Sequence, residues 1–296
     1  MEIRTRYAYA PDKEAIARSL EIIARNIDNV VSPDILKECF SFMDLTSLST
    51  LDTVSSITKL VDKVNAFKGQ FPAYPMPASI CVYSNFAGVV AARKNDPDVH
   101  TTAVAGCFPT SQSFVEVKRK ECEMAVAAGA DEIDIVLPLH AFMAGDYRAV
   151  GEEIHALRAS VDAAGAKAGR KITLKVILET GLLVTPERIA DAAFLAMEEG
   201  ADFIKTSTGK VEVNATPTAA YVMCECIARF YEQTGRKVGF KAAGGISSAM
   251  DAVCYHSIVS TVLGKEWLNK DLFRFGVSRL ANSLLSAAEQ QTVAFF

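Results

Sequence analysis

From residue 41 onward the chain repeats one unit, a short apolar run followed by a longer segment of helical period, until eight runs have passed. The runs are "SFMDL" (41–45), "ASICVYS" (78–84), "TTAVAGC" (101–107), "EIDIVLP" (132–138), "ITLKVILE" (172–179), "DFIKTS" (202–207), "VGFKAA" (238–243) and "FRFGV" (273–277). Their length and apolar content read as strands. Strands separated by helices of this length pair in parallel, because a parallel partner needs a crossover that no tight hairpin supplies. Eight such units can close on themselves, so the expected fold is α/β, a (β/α)8 TIM barrel with no edge strands. The main alternative is a doubly wound open sheet, but neither a G-x-G-x-x-G nor a G-x-x-x-x-G-K-[ST] loop follows the first run.

The segments between runs carry helix punctuation. Thr185 reads as an N-cap, Pro186 as the first helical residue and Gly200 as the residue past the end, and Thr216, Pro217 and Gly235 repeat that grammar. Val150, Ile154, Leu157 and Val161 recur at helical spacing and give one apolar face for packing on a sheet. Before the first run, residues 11–40 are also helical in pattern, with an apolar stripe at Ile16, Leu20 and Ile23 suited to the barrel or a neighbouring subunit. The expected organisation is an N-terminal helical extension, 1–40, packed on a catalytic TIM barrel, 41–296.

A formal charge of -4 without blocks of like charge favours neither nucleic acid nor an anionic membrane as partner. No apolar run approaches the roughly 18 residues of a membrane helix, and the charged start "MEIRTRYAYAPDKEAIARSL" lacks the pattern of a secretory signal. Seven scattered cysteines suit reduced thiols in a cytoplasmic protein rather than a disulfide framework. Cys224 and Cys226, two apart in a helical pattern, point to different sides and read as packing rather than metal ligands.

Chemistry enters with Lys205, which ends a short apolar strand where an amine is expensive to hold. Under the barrel reading Asp134, Lys205 and Lys241 fall near three strand ends and converge on one mouth. A lone strand lysine usually snorkels to solvent or pairs with a carboxylate. Two lysines on neighbouring strands are different, because each cation disfavours protonation of the other. An amine so depressed is a nucleophile at neutral pH and condenses with an aldehyde or ketone, while a protonated partner and a carboxylate move protons. Spacing alone does not choose between the two lysines. Lys175, on the same alternating face as Glu179, reads as one half of a charged interior pair. The turns after the last three strands hold Gly209 and Lys210, Gly244 and Gly245, and Gly276, Ser278 and Arg279. Such loops let backbone N–H groups approach an anion, which points to a phosphorylated substrate. The four histidines read as structural or solvated, His140 being the one near the mouth; Cys81 and Tyr83 could line the pocket.

These segments, "DEIDIVLP", "LKVILETG", "DFIKTSTGKVEVNATP", "GFKAAGGI" and "FRFGVS", resemble the deoxyribose-phosphate aldolases, which are class I aldolases. The resemblance runs from Met43 to Leu280 in unbroken motif order. It implies reversible cleavage of 2-deoxy-D-ribose 5-phosphate to acetaldehyde and D-glyceraldehyde 3-phosphate, with no metal or organic cofactor. It assigns the Schiff base to Lys205, the lowering of its pKa to Lys241 and a share of proton transfer to Asp134. It lays the phosphate over Gly209, Lys210, Gly244, Gly245, Gly276 and Ser278, and it implies a homo-oligomer. Ala242 and Ser247 stand where many members have proline and a basic residue, Arg279 stands where serine is frequent and can replace the missing charge, and the tail lacks a terminal tyrosine. The competing readings are a class I aldolase for another phosphorylated sugar and a catalytically silent sugar-phosphate-binding barrel.

Overall fold

In the structure, a computed structural model that describes residues 3–296, all eight runs become strands. They are β1 (Met43–Thr46), β2 (Ser79–Tyr83), β3 (His100–Val104), β4 (Glu132–Val136), β5 (Thr173–Ile177), β6 (Phe203–Lys205), β7 (Gly239–Ala243) and β8 (Phe273–Val277). Each pairs in parallel with the next and β8 returns to β1, so the sheet is a closed (β/α)8 barrel and the open alternative is excluded. Several strands stop before the apolar runs do. The run through Cys107 ends early because Gly106 and Cys107 turn into positive φ, and the run through Glu179 ends early because Glu179 is left-handed at φ 57°.

Among the described residues three helices precede β1: α1 (Ile3–Arg6), α2 (Lys13–Val30) and α3 (Pro33–Ser41). The N-terminal helical pattern is therefore interrupted, with Ser32 as a fresh N-cap and Pro33 at the first helical position. Ile16 and Ile23 are buried, Leu20 is half-buried. Then follow α4 (Val54–Gln70), α5 (Ala87–Arg93), α6 (Val115–Ala127), α7 (Leu139–Met143), α8 (Tyr147–Lys167), α9 (Thr180–Leu183), α10 (Pro186–Glu198), α11 (Pro217–Thr234), α12 (Ala249–Val262) and α13 (Leu280–Glu289). Thr185 and Thr216 cap α10 and α11 through their hydroxyls, and Gly235 closes α11 in the left-handed conformation. Val150, Ile154, Leu157 and Val161 of α8 are all buried. α2 packs on α11 and α12, and α3 packs on α12 and α13.

The C-terminal tail folds onto an aromatic cluster. Phe295 and Phe296 lie 5.7 Å from Phe67 between ring centroids, and Phe296 lies 6.2 Å from Phe40. Asn282 locks the tail, accepting from the N–H groups of Phe295 and Phe296 and donating to the Phe296 carbonyl. Phe40 belongs to α3, Phe67 to α4 and Asn282 to the first turn of α13, so the tail packs on these outer helices. No helix among the described residues is long and apolar enough to cross a membrane.

Candidate active site

Strand register assembles a cluster of charge inside the barrel. Lys205 stands opposite Lys241 in the β6–β7 ladder, and Asp134 opposite Lys175 in β4–β5. Alternation turns these side chains inward together with Asp44, Glu132 and Arg274, and all seven are buried. Asp134 is the hub. Its Oδ2 accepts from Lys205 Nζ and from Lys241 Nζ, each at 2.8 Å, and its Oδ1 accepts from Lys175 Nζ at 2.9 Å. Lys241 also donates to Asp44, and Arg274 bridges Asp44 and Glu132. A side chain at position 276 would begin 3.0 Å from Lys241 Cε, so Gly276 is the gap through which the stem of Lys241 passes toward β1.

These groups do not balance when all are ionised. Three carboxylates, Asp44, Glu132 and Asp134, face four cations, Lys175, Lys205, Lys241 and Arg274, and a surplus buried charge is costly. Neutralising one amine removes the surplus. Lys205 is the amine most disposed to give up its proton: burial, aided by the Lys241 cation and only partly opposed by Asp134, holds it below the ordinary lysine range. Burial would lower Lys241 too, but Asp134 and Asp44 outweigh it and keep Lys241 protonated, above that range. Lys175 is raised likewise by Asp134, Glu132 and Asp44 against its burial. Asp134, which burial alone would push up, is driven far below the usual carboxylate range by Lys175, Lys205 and Lys241.

Beside the cluster opens a cleft of about 380 Å³, and Lys205 is the one member of the cluster that lines it. Its walls include all six residues expected to hold phosphate: Gly209, Lys210, Gly244, Gly245, Gly276 and Ser278. Arg279 lines the same wall, and Lys210 reaches across to the carbonyl of Leu48 in the loop after β1. Asp134 and Lys241 differ from expectation in depth. Each is the middle residue of its strand rather than a residue of the mouth, and both are sealed from solvent. A larger depression of about 630 Å³ on the barrel's flank, bordered by Val117 and Met124, contains none of the seven clustered groups.

Lys175 does not pair with Glu179. It turns to the carboxylates of β1 and β4, while Glu179, past the end of β5, bonds Thr208. Asp44, Glu132 and Arg274 were not singled out from the sequence, although each is a charge inside an apolar run, the same signal that drew attention to Lys205. His100 opens β3, with Nδ1 2.6 Å from Glu132 Oε1; His140 is exposed on α7. Cys81 is fully buried close to Lys241, Asp134 and Lys205, and burial pushes its thiol up. Tyr83 donates to the Leu48 carbonyl at 3.3 Å.

Residues 40–259 match the model of the DeoC/LacD family aldolases. A human deoxyribose-phosphate aldolase is 38% identical over 271 residues, covering 86% of this chain and 80% of its own. A Caenorhabditis elegans relative is 36% identical over 285 residues, covering 93% and 88%. Among solved structures, the tetrameric deoxyribose phosphate aldolase of Aeropyrum pernix superposes with a TM-score of 0.67 at 24% identity, over 93% of this chain and 98% of its own, which bears on the fold.

Proposed function

The chain belongs to the DeoC/LacD family of aldolases, and we propose that it cleaves and forms 2-deoxy-D-ribose 5-phosphate through a Schiff base on Lys205. The observation that carries this reading is the pairing of access with neutrality. Lys205 alone of the cluster touches the cleft, and it is the amine whose protonation burial and Lys241 disfavour. The same contrast supports Lys205 over Lys241 as nucleophile, since Lys241 is sealed and held protonated.

The neutral amine adds to the C1 aldehyde of the open-chain sugar, and loss of water gives an iminium. Acetaldehyde takes two carbons of the sugar, so the bond that breaks is C2–C3. Its electron pair flows into the iminium to give an enamine, while the C3 hydroxyl loses its proton and becomes the aldehyde of D-glyceraldehyde 3-phosphate. Protonation at C2 and hydrolysis release acetaldehyde and return Lys205. Asp134 and Lys241 are suited to these proton movements, because they share one hydrogen bond next to the reacting nitrogen and hold one acceptor and one donor in a dry site. The phosphate lies over Gly209, Gly244, Gly245, Gly276 and Ser278, with Lys210 and Arg279 as its cations.

The reading extends to a cytoplasmic homo-oligomer, supported by seven free thiols and by the tetrameric Aeropyrum pernix relative, with residues 1–40 as an extension of the catalytic barrel. The test is borohydride reduction in the presence of 2-deoxyribose 5-phosphate followed by peptide mapping. An adduct on the Lys205 peptide is expected. An adduct confined to Lys241 would reverse the lysine roles, and folded protein without any adduct would leave a sugar-phosphate-binding barrel.

A further inference from the structure

Glu179 is a buried carboxylate that the aldol chemistry does not use. It follows β5 and adopts the left-handed conformation, φ 57° and ψ 58°, which non-glycine residues visit at a steric cost. Both of its oxygens are committed to one residue of the neighbouring loop: Oε1 accepts the Thr208 N–H at 3.2 Å and Oε2 accepts the Thr208 hydroxyl at 2.5 Å. The Thr208 Oγ1 in turn accepts the N–H of Lys210 at 3.1 Å. The chain Glu179–Thr208–Lys210 therefore spans Gly209, at the cleft wall.

The backbone around Glu179 supports the same loop. Leu178 N–H donates to the Lys205 carbonyl at 2.8 Å, and Thr180 N–H donates to the Thr206 carbonyl at 2.9 Å, so the chain on both sides of Glu179 is tied to β6 and its exit. At Gly181 a Cβ would fall 1.9 Å from the Val213 carbonyl oxygen, which shows how closely the turn after β5 is pressed against the far side of the loop after β6. Burial raises the Glu179 carboxyl above its ordinary value, and the Thr208 bonds and the Lys205 charge oppose that shift. Among the described residues no lysine or arginine bonds this carboxylate, so its bonds serve Thr208 rather than charge balance.

We propose that Glu179 is a positioning residue for recognition of the substrate phosphate: it fixes Thr208 and, through it, the Gly209–Lys210 backbone in the conformation that receives the anion. The inference rests on the phosphorylated-sugar reading above and adds which residue shapes the phosphate subsite. Glu179 contacts neither the reacting carbons nor the phosphate in this account. Loss of its carboxylate discriminates against phosphorylated substrate and spares Schiff-base chemistry.

Two variants test it. Glu179→Gln keeps the shape but replaces one acceptor oxygen by a donor, and Glu179→Gly removes the carboxylate where glycine adopts the backbone conformation without strain. Kinetic constants are measured with 2-deoxyribose 5-phosphate and with unphosphorylated 2-deoxyribose, alongside borohydride trapping with acetaldehyde. Both variants are expected to raise KM for the phosphorylated sugar about tenfold or more, the effect of losing a charge-assisted hydrogen bond that orders the loop. The value of kcat/KM for the free sugar is expected to stay within about threefold, and the Lys205 adduct to form as in wild type. Equal losses on both substrates, or no loss on either, would overturn the positioning role while leaving the aldolase reading intact. A wild-type protein that cleaves neither sugar and forms no adduct overturns the aldolase reading and this one with it. If both variants fail to fold, Thr208→Val breaks the same chain from the other side, and the same selectivity is required of it.

Discussion

Replacing Lys241 by methionine keeps most of the buried stem and removes the charge beside Lys205. Two bonds of 2.8 Å to one oxygen hold the two amines within about 5.6 Å, where unit charges at an effective dielectric of about 20 repel by about 3 kcal/mol, or roughly 2 pKa units. Charge counting gives the same direction. With Lys205 neutral the wild-type cluster has three carboxylates against three cations, whereas the variant reaches that balance only by protonating Lys205. Lys205 thus loses a lowering influence and gains a reason to be charged, so its pKa rises. The acid limb of the kcat/KM profile for 2-deoxyribose 5-phosphate should move to higher pH by about 2 units, and at pH values below the wild-type limb the rate should fall about a hundredfold. Loss of the proton donor deepens the fall without moving the limb. The assay is the pH dependence of kcat/KM and of borohydride trapping with acetaldehyde, on protein whose circular dichroism matches wild type. A limb that stays in place or moves to lower pH would refute the account of how the amine is kept neutral.

Lys205→Met should abolish the trapped adduct and the cleavage activity while leaving stability unchanged or slightly raised, since it removes the surplus buried amine; a loss beyond about 3 kcal/mol in urea unfolding would contradict the charge count. Asp44, Glu132 and Asp134 are all held below their ordinary carboxylate values, despite burial that alone would raise them, by Lys241 and Arg274, by Arg274 and Lys175, and by Lys175, Lys205 and Lys241 respectively. Their folded-state pKa values lie below those of the unfolded chain, so the stability they contribute is complete above about pH 5 and is lost as pH falls below about 4; a Tm that stays level down to pH 3 would refute this. Deleting residues 292–296 should lower stability by about 2–4 kcal/mol through loss of the Phe295 and Phe296 contacts, with kcat/KM within about twofold of wild type. A tenfold loss of activity in the folded truncated protein would mean that the tail contributes to the mouth as well as packing on the outer helices.

The barrel was legible because each of its eight units is written locally: an apolar run, a capped helix, a turn. Thr185 with Pro186 and Thr216 with Pro217 mark helix starts from side-chain chemistry that needs no tertiary context. The convergence of Lys205, Lys241 and Asp134 was legible for a similar reason, because closure makes strands six and seven neighbours. Depth was not legible. That Lys241 and Asp134 lie at mid-strand while Lys205, level with Lys241 in the ladder, is the last residue of β6 depends on where each strand ends, which no apolar run encodes. Glu179 was hidden because strand alternation assigned it to the face of Lys175, and only the left-handed turn at that residue swings it to Thr208. Its pairing is with a loop, and loop contacts have no period to read.

An ionic cluster is an unusual filling for a barrel whose inner layers could be branched aliphatic residues. Buried ion pairs seldom stabilise a fold more than a well-packed apolar core would, so stability alone does not account for seven charged side chains here. An apolar pocket could keep one lysine neutral by burial, but it would offer no ammonium and no carboxylate to move the protons that iminium formation, carbon–carbon cleavage and enamine protonation require. On the Schiff-base reading proposed above, the cluster supplies both. Asp44, Glu132 and Arg274 hold Lys175 and Lys241 charged and fixed, Asp134 links them to Lys205, and the surplus of one cation falls on the only member that opens to the cleft. On the same proposed reading the deeper charges, though remote from substrate, set the protonation of Lys205, which is why the acid limb of the Lys241 variant reports on the whole cluster rather than on one residue.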